Sequence, residues 1–134
     1  MPKLDKYHNT VKRALAKDDW QISYDPLLLK YKGLHLYVDL AAEKFFDDKR
    51  VAIEIKVFES DSLVNDFEKA IGQYNLYRFV LEKVGFQYEL YLAITEKVYE
   101  KFNDKPAILE YINEKKIHLL IFNAEMEEIL QWIK

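Results

Sequence analysis

Val51-Ala52-Ile53-Glu54-Ile55-Lys56-Val57 sets two opposite charges inside an otherwise apolar run. Side chains on a strand alternate between faces, so Glu54 and Lys56 share one face while Ile53, Ile55 and Val57 share the other. Upstream, Tyr37-Val38-Asp39-Leu40-Ala41 reads as a second apolar strand interrupted by one carboxylate. Phe46-Asp47-Asp48-Lys49 joins the two, and its polar run predicts an antiparallel hairpin. An acid on one strand with Glu-x-Lys on the next is the arrangement that metal-dependent phosphodiester cleavage needs.

Outward from the hairpin, Leu34 to Lys44 and Arg50 to Phe58 are predicted as its two strands. Before them, Tyr7, Val11, Ala14 and Leu15 fall at helical spacing and predict a first helix from about Lys3 to Lys17. Trp20 to Tyr24 reads as a strand closed by Asp25-Pro26, and residues 27 to 33 as a turn or short irregular segment ending at Gly33. After the hairpin, Ser60, Asp61 and Ser62 are good caps for a long helix that runs to about Val84 and stops at Gly85. Tyr88 to Ile94 is the next strand. Helical stretches near 95–103 and 106–114 then lead to a strand over Ile117 to Phe122. The tail, Met126 to Ile133, leans to a final strand. The order helix, three strands, helix, strand, helix, strand predicts an α/β (α+β) mixed sheet flanked by helices, with the charged hairpin at its centre.

The chain of 134 residues is sized for one domain, 1–134, with no internal repeat or Pro/Gly-rich linker. It has no cysteine, which excludes disulfides, thiolate zinc sites and thiol catalysis and suits a cytoplasmic location. No apolar run approaches the roughly 18 residues of a membrane span, and the N-terminus lacks a signal-peptide core. The 10 tyrosines must in part line a cleft, a surface or an interface, because phenolic hydroxyls seek polar partners. A net charge of −3 argues against strong unaided binding to duplex DNA. Lys12, Arg13 and Lys17 nonetheless cluster on the first helix, where a solvated face is the plain reading.

Mg²⁺ (or Mn²⁺) takes oxygen ligands, commonly one or two carboxylates with water and substrate. Asp39 and Glu54 are the candidate carboxylates, with the Ile55 carbonyl within reach of the same ion. Lys56 would stand beside the attacking water or the phosphate. The plain alternative is that Glu-x-Lys marks only the solvated face of a half-exposed strand. Asp39 weighs against it, since an acid within an apolar strand is costly to bury unpaired. On the long helix Gln73 and Tyr77 share a face, and Gly72 beside them costs about 1 kcal/mol relative to alanine, which suggests close approach to another element. Gln73 would then assist the site, while Tyr77 reads equally as core. His8 is a further candidate as metal ligand or proton carrier, or a surface or helix-packing histidine. Glu43 continues the face of Asp39 and is otherwise a solvated strand end.

Val38-Asp39-Leu40, Ile53-Glu54-Ile55-Lys56 and Gln73-x-x-x-Tyr77 together resemble the PD-(D/E)XK nuclease superfamily, with Gln-x-x-x-Tyr similar to its RecB-like exonuclease branch. The resemblance implies a restriction-endonuclease-like αβββαβ core with Mg²⁺ held by the Asp and the Glu. The proline that the superfamily's name expects before Asp39 is absent here. Over nearly the whole chain, longer motifs resemble the XisH family, the fdxN element excision controlling factors of cyanobacteria. They are Tyr7-His8-Asn9-x-Val11-Lys12, Tyr24-Asp25-Pro26-Leu27, Tyr37-Val38-Asp39-Leu40-x-Ala42-Glu43-Lys44, Glu68-Lys69-Ala70-x-Gly72-Gln73-Tyr74 and Ile129-Leu130-Gln131-Trp132-Ile133. This resemblance implies a role in site-specific excision of a DNA element during heterocyst differentiation, beside a small XisI partner and a separate recombinase.

Two functions of different class follow. One is an accessory factor for DNA excision on a nuclease-like fold, with a metal site at Asp39, Glu54 and Lys56 and Gln73 assisting. The other is a non-catalytic module that binds an XisI-like protein and regulates a recombinase. A defence nuclease held inactive by its partner is a third. Base rates make a homodimer the commonest form of self-association.

Overall fold

In the computed structural model, which describes residues 6–134, helix α1 spans His8–Lys17 and strand β1 Gln21–Tyr24. Strands β2 (Leu27–Tyr31), β3 (Leu34–Val38), β4 (Leu40–Lys44) and β5 (Lys49–Ile55) follow, then the long helix α2 (Leu63–Val84). Strand β6 (Glu89–Thr95), helix α3 (Glu96–Lys101), a 3₁₀ turn (Phe102–Asp104), helix α4 (Pro106–Glu114), β7 (Leu119–Asn123) and β8 (Glu128–Ile133) complete it. The fold is α+β. Lys3 to Asp5 of the expected first helix lie outside the described residues.

Six strands form one sheet in the order β1-β4-β5-β6-β7-β8. The β4–β5 hairpin is antiparallel, as its polar connection predicted, and β5 pairs in parallel with β6. α2 makes that parallel return possible, because parallel neighbours need a long crossover. Its ends match the sequence signals. Ser62 accepts a hydrogen bond from the Asn65 N–H at 3.1 Å, and Gly85 takes the left-handed C-cap position at φ 76°.

Three expectations need correction. Residues 27 to 33 are not irregular: Leu27–Tyr31 is β2, paired with β3 as a separate two-stranded sheet. Lys32 and Gly33, both at positive φ, turn the chain between them as a two-residue hairpin does. Leu34 to Lys44 is not one strand. The chain leaves the small sheet at Val38, passes Asp39 and enters the large sheet at Leu40. The second hairpin strand ends at Ile55 rather than Phe58, although the Lys56 N–H still bonds the Ala93 carbonyl at 3.0 Å.

Both faces of the central strands are covered, so β5 is not half-exposed. Val51, Ile53 and Ile55 meet Val11 and Leu15 of α1, whereas Ala52 faces α2, where Phe67, Tyr74 and Tyr77 lie. Burial on both faces explains the near-continuous apolar reading of β5. The basic residues of α1 are engaged rather than merely solvated. Arg13 holds Glu127 through hydrogen bonds of 2.6 to 2.9 Å, and Lys17 donates to the Met126 carbonyl at 2.7 Å. They tie α1 to the turn between β7 and β8.

Gly72 does not mark a close approach. A Cβ at this position would meet nothing within 4 Å. With backbone entropy the only remaining effect, Gly72→Ala is expected to stabilise the protein by about 0.5–1 kcal/mol, read from urea melts. Destabilisation would show that a tight contact is present after all.

Candidate metal centre

Asp39 is the residue at which the chain crosses from one sheet to the other, and its side chain stands in for the interrupted ladder. The last register pair of the β4–β5 ladder is Leu40 with Ile53. One step further, the Asp39 N–H donates to Glu54 Oε1 at 3.2 Å, and the Ile55 N–H donates to Asp39 Oδ2 at 2.8 Å. Each carboxylate thus has one oxygen fixed by the main chain of the opposing strand. Lys56, as the Glu-x-Lys alternation predicts, brings Nζ within 3.5 Å of Glu54 Oε2. The group stands at the carboxyl end of β5, where β5 and β6 run parallel, the usual place for a ligand site in such sheets.

Glu54 is 4% exposed, which rules out a merely solvated face. Burial first, and then the negative charge of Asp39, pushes its carboxyl up to about 8, with Lys56 and the Asp39 N–H opposing the shift. Two carboxylates brought this close disfavour joint ionisation unless a cation stands near both. Lys56 supplies part of that charge from a partly exposed position.

Tyr77 is buried and belongs to the core, as one of its two readings had it, and it also faces the site. Its phenol is held above the usual range by burial and then by the charges of Glu54 and Asp39. Gln73 donates to Tyr77 Oη at 2.8 Å, so it reaches the carboxylates by way of that ring. Ile55 is buried between the acids, its N–H committed to Asp39.

His8 is buried on α1 and pairs with Asp25. It is 3% exposed, and its Nε2 lies 2.7 Å from Asp25 Oδ1. Lys12 donates to the other oxygen of Asp25 at 2.7 Å, and these two partners hold the Asp25 carboxyl below its usual range against burial. Sequence reasoning missed Asp25 as the partner of His8, although both lie in quoted motifs. Glu43 is not gathered in. It accepts from Tyr88 Oη at 2.8 Å and pairs with Arg50 at 3.3 Å, roughly 13 Å along β4 from Asp39.

Among the described residues, no group of three or more His, Asp or Glu side chains forms a metal-holding cluster. The donor set at Asp39 and Glu54 is a pair of carboxylates. That suits Mg²⁺ or Mn²⁺, which keep several waters, better than an ion requiring an all-protein cage.

The sequence profile of the XisH protein family matches residues 1–130. The crystal structure of an XisH family protein from Nostoc punctiforme PCC 73102 is similar at a TM-score of 0.88 and 37% identity, covering 97% of this chain and 100% of that one. A second crystal structure, of an fdxN element excision controlling factor protein from Anabaena variabilis, is similar at a TM-score of 0.88 and 37% identity, covering 96% and 98% of the two chains. No curated relative matches. Among the described residues, no helix is long and apolar enough to cross a membrane.

Proposed function

The chain belongs to the XisH family, and from that membership and its charged hairpin we infer a cytoplasmic controlling factor for excision of a DNA element, acting through a divalent-metal site on a PD-(D/E)XK-like core. The relative from Anabaena variabilis is described as such a controlling factor. Support for the core comes from the succession α1, β1, β4, β5, α2, β6, which is αβββαβ once the β2–β3 hairpin is read as an insertion. The observation that carries the proposal is the reciprocal main-chain bonding of Asp39 and Glu54, which aims two carboxylates at one place with Lys56 beside them.

In this reading Asp39, Glu54 and the Ile55 carbonyl hold Mg²⁺ or Mn²⁺. When bound, such an ion lowers the pKa of a water and neutralises charge on a phosphate. Lys56 orients that water or steadies the phosphate through its charge. Tyr77, held by Gln73, walls the site and limits solvent around the acids. The partners this role calls for are DNA, a small XisI-like protein and a site-specific recombinase, and a homodimer is compatible with it.

Calorimetry with Mn²⁺ on the purified protein, beside the Asp39→Asn, Glu54→Gln double variant, tests the site. Binding in the parent and none in the variant is the expected result. If the variant retains the heat of the parent, the site lies elsewhere. Nicking of supercoiled DNA by the parent, lost in Lys56→Ala while Mn²⁺ binding persists, is expected if the site cleaves. Metal binding without nicking leaves control of excision as the role.

One observation favours the non-catalytic reading. At the tip of the β4–β5 hairpin Phe45 is 67% exposed and Phe46 fully exposed, paired apolar rings of the kind that protein interfaces cover. Phe45→Ser with Phe46→Ser is expected to abolish co-elution with the small partner and leave Mn²⁺ binding intact. Unchanged co-elution would remove the hairpin tip as the docking point.

A further inference from the structure

The opposite end of the sheet holds a second feature, independent of the metal-site reading. α1 has 10 residues, about 15 Å of helix, and cannot cover one whole face of a six-stranded sheet. Val11 and Leu15 pack on this face. At the far end of this face lies a cavity of about 440 Å³, a volume in the range of small-molecule sites. Trp20, Tyr91 and Trp132 line it, Trp20 and Tyr91 buried and Trp132 half-buried. The two indoles stand 5.2 Å apart at 42°, and Tyr91 meets Trp132 edge-on at 4.9 Å and 84°. Both tryptophans of the chain therefore line one cavity.

Cations ring this aromatic floor. Lys44 and Lys49 are directly opposed across the hairpin, and Arg50 and Lys134 line the same cavity. Like charges directly opposed across two strands destabilise a hairpin, and an anion at Lys49 lowers that cost; the Lys44 ammonium already lies 5.2 Å over the Trp20 ring. Of the acids at the rim, Asp18 is answered by Lys44 at 3.6 Å and by the Trp20 indole N–H at 3.1 Å, and Glu89 by Lys134 at 3.1 Å. Asp48 is the third acid, set at the mouth of the turn. Arg50 is held by Glu43 at 3.3 Å, which leaves Lys49 as the cation of this cavity without an ion-pair partner among the described residues.

We propose that this cavity binds a nucleoside phosphate, the base against the half-buried ring of Trp132 and the phosphate at Lys49. Flat aromatic platforms beside cations are how proteins hold unpaired nucleotides without reading their sequence. The ligand is either a free mononucleotide or one nucleotide of an unpaired DNA strand.

Intrinsic fluorescence excited at the red edge of indole absorption reports on this cavity alone, since the chain has no other tryptophan. Titration with AMP, with single-stranded oligo-dA and with inorganic phosphate separates the sources. Quenching by AMP marks a free nucleotide and quenching by oligo-dA alone a strand, and either supports the site. Lys49→Ala, which relieves a repulsion and so keeps the fold, is expected to weaken the response about tenfold. The Asp39→Asn, Glu54→Gln variant is expected to respond as the parent does. No response to AMP or oligo-dA up to about 10 mM nucleotide, far beyond useful affinity, would overturn the proposal. So would an equal response to phosphate alone.

Discussion

Glu54→Gln is expected to make this protein more stable at neutral pH, by roughly 3 kcal/mol near pH 7. Glu54 is buried beside Asp39, and its carboxyl is raised from the usual 4.5 to about 8. Between those values the folded protein holds a proton that the unfolded chain has released. Stability therefore falls as pH rises through this window, by up to about 1.4 kcal/mol per unit, and levels off above the folded value. The glutamine of the variant has nothing to ionise, yet its amide oxygen can still accept the Asp39 N–H. Burial raises the carboxyl most, Asp39 adds to the shift and Lys56 opposes it, with Tyr77 facing both acids from α2. At pH 4 parent and variant are expected to melt within about 2 °C of each other. At pH 8 the variant should melt on the order of 10 °C higher. A constant difference across the range would mean that the carboxyl titrates normally. Mn²⁺ should narrow the gap at pH 8 by raising the melting point of the parent alone, because an ion that favours the ionised pair stabilises only the protein that has one.

A carboxyl buried beside a second acid needs a cation near it, and this pairing is the part of the molecule most legible in the sequence. Period-two alternation is local, so Glu54 and Lys56 could be assigned to one face without any knowledge of the fold. Asp39 stood out because an acid in an apolar strand needs a partner. What alternation could not show is that the chain changes sheets at Asp39. Val38-Asp39-Leu40 looks continuous, and the break is visible only once the side chain is seen accepting the Ile55 N–H in place of a ladder bond. Strand β2 was missed for a related reason. Leu27-Leu28-Leu29-Lys30-Tyr31 shows little alternation to the eye, yet Leu27 and Leu29 are buried under α2 while Leu28 and Lys30 face outward. Gly72 misled in the opposite direction, since helix propensity gives the cost of a glycine and not its cause. Nor could local pattern join Trp20 to Trp132, which meet only when the two ends of the chain are brought to the same face by the sheet between them.

Phe102→Ala is expected to cost about 3–5 kcal/mol and to disturb the metal site from a distance. Phe102 is fully buried in the 3₁₀ turn after α3. Its ring meets Phe58 at 5.7 Å, Phe67 at 5.8 Å and Tyr99 at 6.3 Å, all near edge-on. These neighbours come from the segment after β5, from α2 and from α3. Elements so differently anchored cannot all close on the space a missing ring leaves, so the cavity term is kept in full. Phe58 follows Lys56 by two residues, and its ring is what seats that segment against the core. With the seat loosened, Lys56 spends less time beside Glu54 Oε2 and opposes the upward shift of that carboxyl less. The Glu54 carboxyl, followed by NMR, should therefore titrate at a higher pH in Phe102→Ala than in the parent. Tyr99→Ala, which removes a partly exposed ring from the other side of Phe102, should leave the titration where it is. If Phe102→Ala lost stability but left the Glu54 titration unmoved, Lys56 would be positioned by β6 through the Ala93 carbonyl alone, and the aromatic cluster would serve the core and not the site.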